Sequence, residues 1–365
     1  MSISTKNTRA LPESSSARRH SAIRRALLAW YAAQARDLPW RQTKDPYAIW
    51  LSEVMLQQTQ IATVIPYYQR FLAAFPTLRD LARAPLEHVL ELWSGMGYYR
   101  RARHLHQAAQ MIDAEHAGRF PESYSELRKL PGIGDYTARA VLSIAFEQPY
   151  AVLDGNVVRV VARLLARRGN LHQATFRRAV EGELAKSLSP RRPGDFNQSI
   201  MELGQTICLP RAPRCPECPL SKCCRGFRSG DTEAFPAPRP RRAAEFHHLA
   251  LALIRSGSRV AMVRGLDDGL LPDLWNFPAA LGSSPSEALA RLEQKLRSLT
   301  RVPLTLNVPA ATFRHGITYR SIVARIYPAH GIRSGARGKW QWFELARLSE
   351  SAISQVARKA IESIA

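Results

Sequence analysis

The sequence has no cysteine before residue 208 and none after residue 224. No disulfide framework is therefore spread through the fold, and thiols gathered in one short stretch point to metal or cluster binding in a reducing compartment. Lysine is also scarce, since 44 of the 52 basic residues are arginine, and acidic residues number only 30. The balance is +22, with a pI near 10.5. It is shared by both halves, +14 up to Arg228 and +8 from Ser229 onward. This excludes an acidic disordered chain and favours a polyanionic partner, most simply nucleic acid, whose phosphates suit the planar guanidinium. A GC-rich genome explains arginine in place of lysine but not the net charge. No stretch approaches the ~20 apolar residues of a membrane span, and the first 25 residues lack the apolar core of a secretory signal. A soluble, cytoplasmic protein with no membrane association is expected.

At 365 residues the chain is too long for one ordinary core, and roughly 150 residues per domain predicts two. Residues 1–17 read as a disordered basic tail. From about Ser21 to Cys208 the apolar period is helical almost throughout, predicting an all-α unit of about ten helices within residues 18–225. Asp45-Pro46, a cap followed by proline at the first helical position, opens one of them. Residues 226–244, rich in Gly, Pro and Arg, read as an extended linker. Beyond it the period changes. Leu249, Leu251 and Leu253 alternate, as do Ile322, Ala324 and Ile326, Lys339–Glu344 is a short strand candidate, and helices fit 284–299 and 354–364. Residues 245–365 are expected to form an α+β domain on a small, mostly antiparallel sheet.

Three features carry chemistry. Cys208, Cys215, Cys218 and Cys224 are spaced x6, x2, x5 across residues 208–224. Four thiolates can hold either structural zinc or a [4Fe–4S] cluster, but zinc sites usually pair two short knuckles and this stretch has one. Cys223 is surplus. Residues 130–137, Leu-Pro-Gly-Ile-Gly-Asp-Tyr-Thr, join two helical patterns. Gly132 and Gly134 permit a tight turn whose exposed N–H groups, at the following helix start, can grip a phosphate. The third feature is a pair of carboxylates. Glu53 lies in the nearly uncharged run Trp50–Thr59, where apolar surroundings raise the pKa as a general acid requires; the bland alternative is an exposed helix face. Asp154, in Leu153-Asp-Gly-Asn-Val157, reads equally as an ordinary N-cap.

Together these residues resemble the adenine DNA glycosylases of the MutY type. The LSEVMLQQTQ run, LPGIGDYT, LDGNV and the cysteine spacing all match, and the likeness covers roughly residues 20–350. The resemblance implies an all-α helix-hairpin-helix glycosylase fold over 18–225, a [4Fe–4S] loop, and a C-terminal α+β Nudix-like domain. It implies one [4Fe–4S] cluster on Cys208, Cys215, Cys218 and Cys224, and a double-stranded DNA partner containing A:8-oxoguanine or A:G mispairs. Adenine would be flipped out of the duplex. Glu53 would then protonate adenine N7, and Asp154 would stabilise or trap the oxocarbenium-like sugar, the two-carboxylate logic of retaining glycosidases. Tyr136 and Asn156 would hydrogen-bond around this centre, and Gln58 and Thr59 would fill the vacated space. Tyr98 would wedge beside the oxidised base, and Trp40, Arg41 and Gln198 would surround adenine. For Tyr98 and Trp40 the plain alternative is aromatic core packing. Arg211, Arg214 and Arg225 would face phosphate, unless they are generic surface charge.

Tyr136 stands where the related endonuclease III proteins carry the lysine that attacks the sugar, so a monofunctional glycosylase is expected. Residues 282–300 lack the glutamate-rich Nudix box, which excludes nucleotide hydrolysis. In the family, a loop of this domain reads 8-oxoguanine through a Phe-Ser-His type motif. The matching segment is Phe313–Arg320, in which Thr318 keeps the hydroxyl, Ile317 replaces the aromatic and Tyr319 stands for the histidine. Two alternatives stand beside this reading: a thymine mismatch glycosylase and a non-catalytic Fe–S module that binds damaged DNA. A monomeric bacterial protein, nucleoid-associated when bound, completes the expectation.

Overall fold

A computed structural model describes residues 13–237, 243–266, 274–300, 304–317, 319–330 and 340–364. The chain forms two compact units. The first comprises Met1–Leu72, Thr77–Arg79 and Ala108–Pro240, and the second Ala73–Pro76, Asp80–Gln107 and Arg241–Ala365. The helical stretch 80–107, expected within the all-α domain, is thus built into the C-terminal unit.

The helices in chain order are α1 (Glu13–Gln34), α2 (Pro46–Leu56), α3 (Ile61–Ala74), α4 (Leu78–Arg83), α5 (Leu86–Trp93), α6 (Arg100–Glu115), α7 (Tyr124–Leu127), α8 (Asp135–Ala145), α9 (Gly155–Leu165), α10 (Ala174–Ser187), α11 (Pro193–Thr206) and α12 (Arg225–Arg228). Because α1 opens at Glu13, residues 13–17 are helical where a disordered tail is expected; residues 1–12 lie outside the described residues. In the first unit α11 packs on α1, α8 and α9, and α2 packs on α8. Their shared core includes Leu27, Ile49, Val157, Val161, Phe196 and Leu203.

Local signals account for the helices that matter most. Asp45 Oδ1 accepts from Tyr47 N at 3.1 Å, with Pro46 at the first helical position. Every residue of α2 from Tyr47 to Met55 is buried, so the helix has no solvent face at all. Helix α9 starts from Asp154, whose Oδ1 accepts from Val157 N at 2.7 Å, and ends on Ala166 in the left-handed conformation.

The expected linker does not begin at residue 226. Helix α12 occupies 225–228, and Phe235 packs on the core of the first unit while its carbonyl accepts from Arg163 Nε at 3.0 Å. Residues 238–242 are outside the described set.

The second unit carries eight strands, β1 (Glu245–Ser256), β2 (Arg259–Arg264), β3 (Trp275–Asn276), β4 (Ala279–Gly282), β5 (Thr305–Leu306), β6 (Ala311–Ile317), β7 (Arg320–His330) and β8 (Gln341–Glu344), with helices α13 (Pro285–Leu299) and α14 (Gln355–Glu362). The order β3-β2-β1-β7-β5 forms the sheet, with β4 on β1, β6 on β7 and β8 on β2. Only β1–β7 is parallel among these pairs. Strand β1 is buried at every position from Leu249 to Ile254 rather than alternately. Its odd positions, Leu249, Leu251 and Leu253, share a core with Val356, Ala357 and Ala360 of α14. Its even positions, Ala250, Ala252 and Ile254, share another with Leu292 and Leu296 of α13. A helix on each face removes the solvent side that strict alternation presumes. The unit is α+β, as expected.

Candidate active site

Glu53 sits on the all-buried helix α2, 7% exposed. Burial pushes its carboxyl up to about 7 because the charged form loses hydration there. The Tyr136 hydroxyl and the Arg41 charge pull it partly back, and the Asp154 charge adds to the rise. Tyr136, on the first turn of α8, donates to Met201 Sδ at 3.2 Å. Its own pKa stands well above 10, driven first by burial and then by the nearby Glu53 and Asp154 charges. It is a neutral donor at any working pH.

Asp154 is the N-cap that its sequence position also suggests. Oδ1 caps α9 through Val157 N, and Oδ2 accepts from Asn156 Nδ2 at 3.0 Å. The cap fixes the carboxylate rather than competing with a chemical role. Asn156 Oδ1 accepts in turn from Arg159 Nη2 at 2.9 Å. Gly204 of α11 lies against this asparagine so closely that a Cβ there would meet Asn156 Cβ at 2.7 Å.

Trp40, Arg41 and Gln198 line one cleft of about 330 Å³ together with Tyr31 and Lys44. Trp40 is buried and meets Tyr68 edge-on at 5.4 Å. Arg41 lies over the Tyr31 ring at 5.2 Å and donates to Glu202 Oε2 at 2.7 Å. Glu202, 1% exposed, also accepts two bonds at 2.6 Å from Arg36. These two guanidinium groups hold its carboxyl below the usual range against the opposing effect of burial. Sequence reasoning missed Glu202. The available signal was an acid one helical turn after Gln198 on a helix whose residues 196–204 are otherwise uncharged and buried.

The hairpin runs from α7 through a turn to α8. Gly132 has φ +75°, which favours glycine. Gly134 caps α8 with an ordinary φ of −82°, and a Cβ there would meet nothing within 4 Å. No neighbour inside the protein requires glycine at 134; open space over the amide groups of a helix start is what an approaching phosphate needs.

Gln58 is exposed and Thr59 half-buried where α2 ends, and Gln58 adopts the left-handed φ of +59°. In the second unit Tyr98 is 46% exposed with φ +51°, so it is not core packing. A left-handed backbone costs roughly 1–2 kcal/mol outside glycine, and such strain clusters at functional sites.

Cys208, Cys215, Cys218 and Cys224 line one pocket with Val160 and Leu203. Cys223 is not among its lining residues, and its Sγ lies 3.3 Å from Leu220 O. Burial pushes the Cys218 thiol up to about 12, and the other three thiols add to the rise. Among the described residues no three His, Cys, Asp or Glu side chains gather tightly enough to hold a metal ion. Arg163, 2% exposed, donates to Leu209 O, Pro210 O and Cys208 Sγ.

The segment expected to read the lesion departs from a loop. Phe313 to Ile317 lie in strand β6, and Phe313 and Ile317 pack on the core. Ile317 pairs with Arg320 across the hairpin. Tyr319 stands in the turn, half-buried, with the Arg320 guanidinium 5.9 Å from its ring. Thr318 lies outside the described residues.

Residues 51–185 match the HhH-GPD superfamily of base excision DNA repair proteins. The adenine DNA glycosylase of Arabidopsis thaliana is 39% identical over 74% of this chain and 49% of its own length. That of Rattus norvegicus is 34% identical over 93% of this chain and 77% of the rat protein. The chain therefore spans about half the length of the plant relative. The solved structure of a thermostable thymine-DNA glycosylase has 28% identity and a TM-score of 0.54, covering 59% of this chain and 99% of that one. The rat alignment covers 93% of this chain, and so takes in both units: the chain belongs to the adenine DNA glycosylase family of base excision repair enzymes.

Proposed function

We propose that this protein hydrolyses the N-glycosidic bond of adenine mispaired with 8-oxoguanine or guanine in duplex DNA. The observation that carries this reading is the Glu53 carboxyl, buried and raised to about 7, electrostatically coupled to Tyr136 and Asp154. A carboxylic acid protonated near neutral pH donates a proton to a flipped adenine at N7 and makes the base a better leaving group. Asp154, held by Val157 N and Asn156, keeps its oxygens placed to stabilise the cationic sugar. Tyr136 orients Glu53 and, having no amine, forms no Schiff base, so the strand stays uncut. Trp40, Arg41 and Gln198 enclose the base, with Glu202 fixing Arg41. Gly132 and Gly134 admit a phosphate to the start of α8, Gln58 and Thr59 fill the space left by adenine, and Tyr98 wedges beside the opposite base. Tyr319 and Thr318 contribute to reading that base from a Nudix-like C-terminal domain. The protein acts as a monomer.

The four pocket cysteines would hold one [4Fe–4S] cluster. Four ionised thiolates facing one void need the positive charge of a metal centre to be stable together, and the x6, x2, x5 spacing resembles the cluster loop of this family. The cluster would supply structural order to the arginine-bearing loop. Relatives in plants and mammals leave family membership neutral on a bacterial source.

The decisive experiment is single-turnover base release from A:8-oxoguanine, A:G and T:G duplexes by the wild type and Glu53→Gln. Adenine release that collapses in the variant is expected. Equal release by both proteins, or preferential release of thymine, sinks the proposal.

A further inference from the structure

The segment 94–99, between α5 and α6, turns through three positive-φ positions, Gly95 at +100°, Gly97 at +80° and Tyr98 at +51°, of which only the tyrosine is strained. Part of what holds it is local. Trp93 Nε1 and Arg101 Nη2 both donate to Gly97 O, at 3.0 and 3.2 Å. The Arg101 guanidinium lies 5.3 Å from the Trp93 ring and 5.4 Å from the Tyr98 ring.

The rest comes from some 250 residues further along the chain, within the same unit. Gln355 Nε2 donates to Gly95 O at 2.9 Å, Arg358 Nη2 donates to Ser94 Oγ at 2.6 Å, and Tyr99 Oη donates to Ile353 O at 3.2 Å. Gln355 and Arg358 are one turn apart on α14, so they present to one side of it. The other side of the same helix is rooted in the sheet. Val356, Ala357 and Ala360 share a core with Ile322 and Ala324 of β7, and Lys359 Nζ donates to Arg314 O of β6 at 3.2 Å. Ser354, which caps α14, also donates to Asn276 Oδ1.

We propose that Gln355 and Arg358 are positioning residues for Tyr98, and that α14 holds the Tyr98 segment and the β6–β7 hairpin on one rigid support. This deepens the proposed function and rests on its assignment of Tyr98 and the hairpin to the base opposite adenine. Two probes of one base must keep a fixed separation, and neither glycine-rich segment nor hairpin turn sets it alone. A helix that hydrogen-bonds one and packs on the strand of the other does so. Distinguishing 8-oxoguanine from guanine then depends on side chains that touch neither base.

The test uses the full chain with Gln355→Ala, Arg358→Ala, the conservative Arg358→Lys, and Tyr98→Ala alone and combined with Arg358→Ala. Two measurements are made: amide hydrogen exchange over residues 95–99 without DNA, and the ratio of adenine release from A:8-oxoguanine and A:G. Arg358→Ala should accelerate exchange at 95–99 and lower the ratio about tenfold, the scale of one lost hydrogen bond, with Arg358→Lys recovering part of both. In the Tyr98→Ala background Arg358→Ala should lower the ratio no further. An unchanged ratio despite faster exchange, unchanged exchange, or full additivity with Tyr98→Ala overturns the inference. If the wild type releases adenine normally, such a failure leaves the proposed function standing. A wild type that releases no adenine from either duplex removes both.

Discussion

Arg159 donates from Nε to the carbonyl oxygen of Cys208 at 2.8 Å, while its Nη2 reaches Asn156 Oδ1 at 2.9 Å and Gly204 O at 2.6 Å. One side chain thus joins the first cysteine of the pocket to the asparagine that holds Asp154. Lysine cannot reproduce this fork, which spends separate N–H groups on diverging acceptors. Arg159→Leu should leave three acceptors without their donor, at a cost of about 3 kcal/mol or more. Urea denaturation checks the loss of stability. Base release should slow alongside it, and the purified variant should carry less of the broad visible absorbance expected of an iron–sulfur protein.

Activity and stability should both fall as the Glu53 proton is lost. The acid works when protonated, so base release should be level below pH 7 and fall as the pH rises through about 7. Because the folded pKa is raised above the ordinary value of 4.5, the stability linked to this proton is fully present below about pH 4.5. It is lost as the pH rises through about 7. The total is roughly 3 kcal/mol. Glu53→Gln removes that dependence. Its Tm should exceed that of the wild type clearly at pH 8 and little at pH 5, in the same protein that has lost base release.

Two glycines should separate folding from DNA binding. Gly204→Ala drives a Cβ to 2.7 Å from Asn156 Cβ and should cost about 1–3 kcal/mol as the two helices part. Slower base release should follow from a displaced Asn156. Gly134→Ala meets no atom within 4 Å at an ordinary φ, so its Tm should match the wild type. Its affinity for duplex DNA should nonetheless drop, because the methyl group occupies the space a phosphate would use. Fluorescence anisotropy across a salt series reads this directly, and the wild-type affinity itself should fall steeply with salt.

Tyr136 is a phenol whose pKa is far too high for ionisation, and it offers no amine. Borohydride added during turnover should therefore trap no wild-type protein on DNA. Tyr136→Phe should keep the ring and lose the hydroxyl that restrains the Glu53 pKa, moving the descending limb of the pH–rate profile upward. Strong cross-linking by the wild type would contradict the monofunctional assignment.

Much of the site was legible because its signals are local. An Asp-Pro start, an N-cap candidate at Asp154, a Gly-x-Gly turn and four clustered cysteines are each complete within a few residues. The segment 80–107 was not legible in this way. Its helical period says that it forms helices but not which core they join, and Glu87 pairs with Arg264 at 2.8 Å across a large chain separation. The loop expected over Phe313–Arg320 failed for a related reason. Phe313–Ile317 alternate as a strand, and burial of Phe313 and Ile317 decides that they face inward.

The sequence alone determined the helical character of the first unit, the change of period after residue 244, the net positive charge, and which residues are candidates for acid–base and thiolate chemistry. These follow from caps, periodicity, side-chain charge and spacing, all properties of neighbouring residues. Only the tertiary structure decided that Glu53 is an acid poised near neutral pH. Its pKa depends on loss of water and on the fields of Tyr136, Asp154 and Arg41, which come from other parts of the chain. The same holds for Glu202, made a partner of Arg36 and Arg41 by burial between helices, and for Tyr98, kept exposed in a backbone state it would not choose unaided. Desolvation and strain are set by what surrounds a residue, and those surroundings exist only once distant segments have folded together.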